Sequence, residues 1–320
     1  MVARSGDRDS TAYDANFELC LQQQGIFRES TRFPDGTQIP EPRNLPEINK
    51  ILFERRNDLQ PPRLDEADFT SFANNHEFSP RPEPMRAIIP TIIGPETYEQ
   101  VSKIRFHIEP IGDIPFIHSA PDIFDCARRY DLHRDIYRGL YRRVIPARAR
   151  DGNPDPAVPN WFVEARARTV PALCTLSRFY GRRAEEKVYD GNAYTFSVVY
   201  VRESRCLEVF AHHMARAGNG QEQYFMTKLY EFNMVDKDSF QKGIMAVRNV
   251  RDLARKYRGE VIEFANDRAV KLRSEIDARL DDAVEKDKEA PNAKRRNAKR
   301  RHANDGEQDL VLDPEEMDCE

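Results

Sequence analysis

The 320-residue sequence lacks several features that would place it in a familiar class of protein. It has no apolar run near the roughly eighteen residues that a membrane-spanning helix needs, and its first ten residues lack the apolar segment of a secretory signal. Its five cysteines (Cys20, Cys126, Cys174, Cys206 and Cys319) form no Cys-x-x-Cys pair, which argues against a disulfide framework or a zinc site. No glycine-rich phosphate loop or dinucleotide fingerprint occurs. These absences predict an intracellular protein with no membrane contact and no small-molecule cofactor.

What the sequence has in excess is charge, and its distribution is uneven. The net charge is −4, yet the run from Lys294 to Arg301 holds six cations in eight residues, and the run from Asp305 to Glu320 holds eight acids. Such blocks cannot bury apolar surface, so we expect a disordered tail over 283–320. The basic run predicts a nuclear location, with the cytoplasm as the alternative, or a nucleic-acid contact. A solvated helix end, or an acidic tail folded back over the cations, would also explain it.

The N-terminal part, 1–85, is predicted to be an irregular arm punctuated by prolines. Apolar spacing predicts short helices over 16–24, 44–53 and 64–74. Three such helices rarely form a core of their own, so we expect this arm to wrap the domain that follows.

The central part, 86–282, predicts an α/β core. Six segments with β-branched or alternating apolar residues are predicted strands: 87–94, 111–117, 158–165, 193–202, 206–212 and 223–233. A helix is predicted over 132–143, and two amphipathic helices are predicted on either side of Gly259, the first capped by Asp236 or Asp238. The expected architecture is a mixed central sheet flanked by helices.

Three residues in this part have the pattern of a metal-dependent nuclease site. Asp122 follows a proline at a predicted strand start, and Glu164 lies in a predicted strand two residues before Arg166. Residues i and i+2 of a strand share a face, so Glu164 and Arg166 would point the same way. Two carboxylates beside a cation suit Mg²⁺-dependent phosphodiester cleavage. A structural ion pair between Glu164 and Arg166 is the alternative.

Several motifs extend this pattern over roughly residues 11 to 270. They are YDANFE (13–18), PEPRNL (40–45), IIPTI (88–92), PDIFDCA (121–127), PNWFVEA (159–165), VYDGNAYT (188–195) and VRNVRDLA (247–254). Together they resemble a fungal family of uncharacterised proteins whose core is similar to the PD-(D/E)xK nuclease-like fold. The resemblance implies a restriction-endonuclease-like core, a nucleic-acid partner, and Mg²⁺ held by Asp122 and Glu164.

The sequence also departs from that family. Arg166 stands where the family pattern has a lysine, and arginine is not a conservative replacement because its guanidinium is planar and keeps its proton. The segment 167–187 is shorter than in the family, and the upstream region that should hold a helical glutamate has three prolines, with Glu83 the one candidate. We therefore predict weakened or absent catalysis. The alternative is a non-catalytic module that binds nucleic acid or protein.

Two further groups of residues have patterns that could indicate a binding site. His212 and His213 with Cys206 could suggest zinc, but adjacent strand residues point to opposite faces, which favours a structural role. Six arginines occur in pairs that could line a nucleic-acid surface or could simply be solvated: Arg128, Arg129, Arg142, Arg143, Arg182 and Arg183. Nothing in the sequence predicts an oligomeric state.

Overall fold

The protein was analysed as a computed structural model. It describes residues 17–28, 32–33, 35–57, 66–77, 84–94, 100–102, 106–108, 121, 123–139, 144–146, 156–163, 175, 179, 182 and 186–305. The chain divides into two compact units, 1–268 and 269–320, and each is described by itself.

The N-terminal arm contains the three predicted helices, which are confirmed as α1 (Phe17–Gln23), α2 (Leu45–Leu52) and α3 (Glu66–Glu77). Pro46 lies in the first turn of α2, where its missing N–H has no intrahelical partner to lose. A short strand, β1 (Ile26–Arg28), was not predicted.

The predicted strand over 87–94 is wrong, because these residues form helix α4 (Pro84–Ile93). The segment is a short apolar run, and such a run fits a buried helix as well as a strand. Pro84 opens the helix, where proline is tolerated. Gly94 ends it with a φ of +83°, a left-handed conformation that glycine adopts without strain.

Eight strands follow, and the four predicted over 158–165, 193–202, 206–212 and 223–233 are confirmed with shifted ends. They are β2 (Gln100–Ser102), β3 (Phe106–Ile108), β4 (Ile123–Arg128), β5 (Val144–Pro146), β6 (Pro156–Val163), β7 (Thr195–Val201), β8 (Cys206–Arg216) and β9 (Glu222–Asn233). The strand predicted over 111–117 lies outside the described residues. The helix predicted over 132–143 is shorter, α5 (Arg134–Gly139), and 140–143 also lie outside.

Seven strands form one mixed sheet in the order β1-β9-β8-β7-β6-β4-β2, and β3 pairs with β5 separately. β7, β8 and β9 are consecutive antiparallel neighbours, and β4 is antiparallel to both β2 and β6. β6 and β7 are parallel, so the chain between them must cross over. β1 adds to β9 in parallel at one edge.

The last helix, α6 (Lys237–Asp305), is continuous, so the predicted break at Gly259 is wrong. An internal glycine costs a helix only about 1 kcal/mol, which the packing of α6 offsets. Asp236 caps the start of α6, since its carboxylate accepts a hydrogen bond of 2.7 Å from the Ser239 N–H. The helix also includes 283–305, for which the charge pattern predicts a disordered tail; these residues are rich in good helix formers. Residues 306–320 lie outside the described residues.

One face of the large sheet packs against α6, and we call it the α6 face. Trp161, Val163, Phe196, Val198 and Val209 of the sheet are buried there in one cluster. That cluster also holds residues of α2, α3, α4 and α6: Ile48, Leu52, Phe72, Ile89, Ile92, Ile93, Ile244, Val247 and Val250. The predicted α/β class, a mixed sheet flanked by helices, is therefore confirmed. None of the described helices is both long enough and apolar enough to cross a membrane.

Candidate functional site

The three predicted site residues, Asp122, Glu164 and Arg166, lie outside the described residues, but the strands that flank them are described. β4 begins at Ile123, and β6 ends at Val163. Ile123 and Val163 are paired directly across the antiparallel ladder. Asp122 and Glu164 are therefore the next residues along the chain from a matched pair of strand ends.

The two faces of the sheet have different surroundings at this end. Asp125 and Trp161 are opposite each other in the ladder and lie on the α6 face. Phe124 and Phe162 alternate with them and lie on the other side, which we call the opposite face, where their rings stack at 6.1 Å. Both phenylalanines are fully buried.

Asp125 is the most buried carboxylate at this end of the sheet, and sequence reasoning missed its role. The Arg251 side chain donates to both of its carboxylate oxygens, at 2.6 and 2.9 Å, and both side chains are at most 5% exposed. The Arg251 guanidinium also lies 4.9 Å from the centre of the Trp161 ring. A buried carboxylate is tolerated only when it is paired in this way, so this pair is structural.

Two arginines of α6 also bind the carbonyl end of α4. Arg248 donates to the Thr91 and Ile92 carbonyls at 2.9 and 3.3 Å, and Arg251 donates to the Ile93 carbonyl at 2.9 Å. These carbonyls have no partner within the helix, and cations are favourable at a helix C-terminus. A Cβ at Gly94 would lie 3.1 Å from the Arg248 Nε. A side chain at this position would therefore crowd Arg248, whereas glycine fits.

Two asparagines fix other elements to α6. The Asn249 amide donates to the carbonyls of Ile51, Leu52 and Glu54, at 2.9 to 3.1 Å, at the end of α2. The Asn160 amide of β6 donates to the Ala254 carbonyl at 2.6 Å and accepts from Arg258 at 2.6 Å. The motifs VRNVRDLA and PNWFVEA therefore have described residues that hold the fold together.

The YDGNAY turn is also bound into the fold. The Asn44 side chain accepts from the Ala193 N–H at 2.8 Å and donates to its carbonyl at 2.9 Å. Within the turn, the Tyr194 hydroxyl donates to Asp190 at 2.8 Å, and the Asp190 carboxylate accepts from the Asn192 N–H. This motif joins the arm to the start of β7.

The two adjacent histidines of β8 have separate surroundings. The His212 Nε2 lies 2.8 Å from the Ser197 hydroxyl on the opposite face, and both residues are buried. The His213 ring stacks on Phe225 at 5.0 Å, and neither of its nitrogens has a hydrogen-bond partner. Burial lowers the pKa of His213 to about 4. Cys206 lies at the far end of β8, so the three residues of the rejected zinc grouping are not brought together.

Lys228 lies between two glutamates on the β8–β9 ladder. The Lys228 ammonium donates to Glu208 at 2.6 Å and to Glu231 at 3.0 Å. Burial opposes the charged form of Lys228, but these hydrogen bonds outweigh burial and raise its pKa. A ladder irregularity between Val209 and Phe210 lets Lys228 and Glu231 lie beside the same Glu208 side chain. The cluster of one cation and two carboxylates keeps a net charge of −1, and its hydrogen bonds join β8 to β9, so we interpret it as a stabilising feature.

Among the residues that the structure describes, no three acidic, histidine or cysteine side chains gather to hold a metal ion. Asp122 and Glu164 lie outside the described residues, so this finding does not include them. No protein-family model, curated protein or solved structure matches this chain. The resemblance to nuclease-like proteins therefore stays a prediction from the sequence motifs, and several described motif residues, such as Asn160, Arg248 and Asn249, bind other elements of the fold.

Proposed function

We propose that this protein has a PD-(D/E)xK nuclease-like core that binds nucleic acid, with Asp122 and Glu164 as a divalent-metal site and with catalysis weakened or lost through Arg166. The observation that carries the proposal is the register of the two flanking strands. Ile123 lies opposite Val163 at the adjoining ends of β4 and β6.

The register supports a shared site because one further step of the same ladder would pair Asp122 with Glu164. Directly opposed residues of antiparallel strands have Cβ atoms about 5 Å apart and project from the same face. Both carboxylates would then project from the opposite face, since Ile123 and Val163 pack toward the α6 face. Two carboxylates at that spacing would repel each other when both are ionised, which favours a cation between them.

The donor set fits Mg²⁺, which prefers carboxylate oxygens. When bound, Mg²⁺ supplies Lewis-acid polarisation of a phosphate oxygen and a more acidic water. Asp122 and Glu164 would hold the ion. Arg166, two residues beyond Glu164, would bind a phosphate oxygen as a fixed cation.

Arg166 is the reason to expect weak cleavage or none. A lysine ammonium is compact and can be tuned in its pKa, so it can position and activate a water. A guanidinium is larger and stays protonated, so it stabilises phosphate charge but cannot take a proton. Binding without turnover is the expected result.

The experiment uses purified full-length protein with labelled single- and double-stranded DNA in Mg²⁺ or Mn²⁺. We expect little or no cleavage by the natural chain and at least about tenfold more by Arg166→Lys, since a positioned proton-transfer group contributes about 10² to 10⁴ in rate. Cleavage that disappears in Arg166→Lys with Glu164→Ala would tie the gain to the metal site. If no variant cleaves and Mn²⁺ does not bind, the nuclease-like site is excluded.

The second candidate is a non-catalytic module in which Glu164 and Arg166 are a structural ion pair. The Asp125–Arg251 pair favours it, because this fold already stabilises a carboxylate at the same sheet end with an arginine. The two candidates differ in metal binding. A structural pair predicts that Mn²⁺ up to millimolar concentration leaves the thermal midpoint unchanged, whereas a metal site predicts a rise that saturates.

A further inference from the structure

The turn that follows β4 presents an unusually exposed aromatic side chain. The Tyr130 side chain is 81% exposed, more than any other large apolar or aromatic residue among the described side chains. It lies in a 3-10 turn, Arg129–Asp131, between β4 and α5. Tyrosine normally buries most of its ring, so a fully presented ring next to charged residues indicates a contact surface.

The turn is held rigidly on both sides of Tyr130. The Asn266 side chain of α6 accepts from the His133 N–H at 2.7 Å and donates to the Asp131 carbonyl at 2.8 Å. The Asp131 carboxylate accepts from the Arg128 N–H at 2.7 Å. Leu132 is buried in a small cluster with Ala127, Val158 and Ala265. A fixed turn keeps the exposed ring in place, so binding to it costs little conformational entropy.

The chain around this turn is strongly basic. The segment 128–143 has six arginines and two aspartates, a net charge of +4 with histidine neutral. The Asp131 carboxylate already accepts the Arg128 N–H, and the Asp135 carboxylate lies 3.8 Å from the His133 Nδ1. Arg128 and Arg134, which precede and follow Tyr130 in the sequence, are exposed, as are Asp131 and Asp135. The net positive charge of the segment comes from its other four arginines.

We propose that this turn is a binding surface for single-stranded nucleic acid, with the Tyr130 ring stacking on a base and the neighbouring arginines contacting phosphates. Cations alone would suit any polyanion, but an exposed ring among them adds a surface for a base, because every base has a flat π-face. A duplex keeps its bases stacked on each other and offers no free base face. The ligand class is therefore a flexible single strand rather than a duplex.

This surface deepens the proposed function, on which it rests for the identity of the partner, but it does not need the metal site. The turn follows the end of β4, whereas Asp122 precedes its start. Six residues of extended chain, ~20 Å, separate the two places. Binding in EDTA therefore tests the turn, and cleavage in Mn²⁺ tests the metal site.

The test uses tryptophan as a local reporter in the full-length chain. The natural protein has one tryptophan, Trp161, which is fully buried. Tyr130→Trp adds an exposed reporter, and Tyr230→Trp is the matched control, because Tyr230 is 48% exposed on β9 at the other side of the sheet. Oligo-dT is titrated in EDTA at low salt, with a duplex and heparin as comparison ligands.

We expect oligo-dT to quench the Tyr130→Trp emission and to leave Tyr230→Trp unchanged. In anisotropy measurements, Tyr130→Ala should bind oligo-dT about tenfold more weakly while Tyr130→Phe binds normally. Arg134→Ala should flatten the slope of log affinity against log salt by about 0.7.

Three results would overturn the proposal. The first is binding without quenching at position 130, which would place the contact elsewhere, such as the 294–301 run. The second is equal quenching by heparin, which would mean a general polyanion surface. The third is no binding by the natural chain. Unchanged thermal midpoints would show that the variants are folded, as expected for so exposed a side chain.

Discussion

The two faces of the seven-stranded sheet use polar residues for different purposes. On the α6 face, the polar groups at the core are tied to specific helices: Asp125 to Arg251, and the ends of α2 and α4 to Asn249 and Arg248. On the opposite face, the described polar pair at the centre is Ser197 with His212, among aromatic rings. We propose that the metal site lies on this second face.

This difference between the two faces limits what the presence of the motifs in the sequence can indicate. Most motif residues that the structure describes bind helix to helix or helix to sheet, so their presence indicates this architecture and says nothing about catalysis. The three proposed site residues, Asp122, Glu164 and Arg166, lie outside the described residues, so the contacts of the motifs leave the proposal about them open to experiment.

The largest effect should come from breaking the α6 face. Arg251→Ala leaves Asp125 buried without its cation, and we expect a loss of about 3 to 5 kcal/mol in unfolding free energy, measured by urea denaturation. Arg255→Ala, on the same helix but 42% exposed, is the control and should change stability by less than about 0.5 kcal/mol. Equal effects of the two variants would show that the buried pair is not special.

The second-largest effect should be a pH dependence of the unfolding free energy that comes from His213. Burial lowers its pKa to about 4, from an ordinary value of 6.5. Between these values the unfolded chain binds a proton that the folded chain does not, so stability is complete above pH 6.5 and falls as the pH decreases toward 4. Between pH 7 and pH 5 we expect a loss of about 2 kcal/mol from this residue.

His213→Leu and His213→Gln should both remove that slope, whatever their effect on stability at pH 7. Denaturant titrations at several pH values would measure it. A slope that persists in both variants would assign the acid sensitivity to other groups.

A smaller effect should come from the opposite face. Ser197→Ala removes the hydroxyl that lies 2.8 Å from the His212 ring, and we expect a loss of about 1 to 2 kcal/mol. The measurement is the same urea titration, with Thr195→Val, a buried neighbour in β7, as a comparison. A cost larger than that of Arg251→Ala would reverse the contrast between the two faces.

The smallest change in stability should come from Glu164→Ala. If Glu164 is a metal ligand, its loss without metal should change stability by less than about 0.5 kcal/mol, and it should abolish the stabilisation by Mn²⁺. At a metal concentration 100 times the dissociation constant, the natural chain should gain about 2.7 kcal/mol. A destabilised variant with no metal effect in either chain would instead support the structural ion pair.

The sequence predicted well where periodicity and burial agree. Strands β7, β8 and β9 alternate clearly and sit between strong turn signals, so their positions follow from local pattern. The helices of the arm were also predicted, because their apolar spacing and proline positions are local features.

The sequence predicted the structure poorly where residues far apart in the chain determine a helix or a contact. The last carbonyls of the Ile-rich helix α4 are bound by Arg248 and Arg251, more than 150 residues later, and this support has no local signal in the sequence. The pair of Asp125 with Arg251 joins residues 126 apart and has no local signature. The sequence predicts a break at Gly259 because the cost of a helical glycine is a local property, whereas the packing that offsets this cost is not.

For the candidate site, sequence reasoning named Asp122, Glu164 and Arg166 but missed the Tyr130 turn. The arginine pairs are visible in the sequence, yet the turn that carries Tyr130 is bound by Asn266, which lies far along the chain. A rigid, exposed aromatic side chain is a tertiary property, and no spacing in the sequence encodes it.

The capping of α2 by Asn249 has a consequence for the order in which the protein can be made. The Ile51 carbonyl and the Asn249 amide that binds it are 198 residues apart, so α2 leaves the ribosome long before its partner exists. At typical rates of synthesis this interval is about 10 to 40 seconds. During that time the apolar side of α2, Ile48 and Leu52, has no α6 to cover it. Helix α2 can therefore reach its final packing only after α6 has been synthesised.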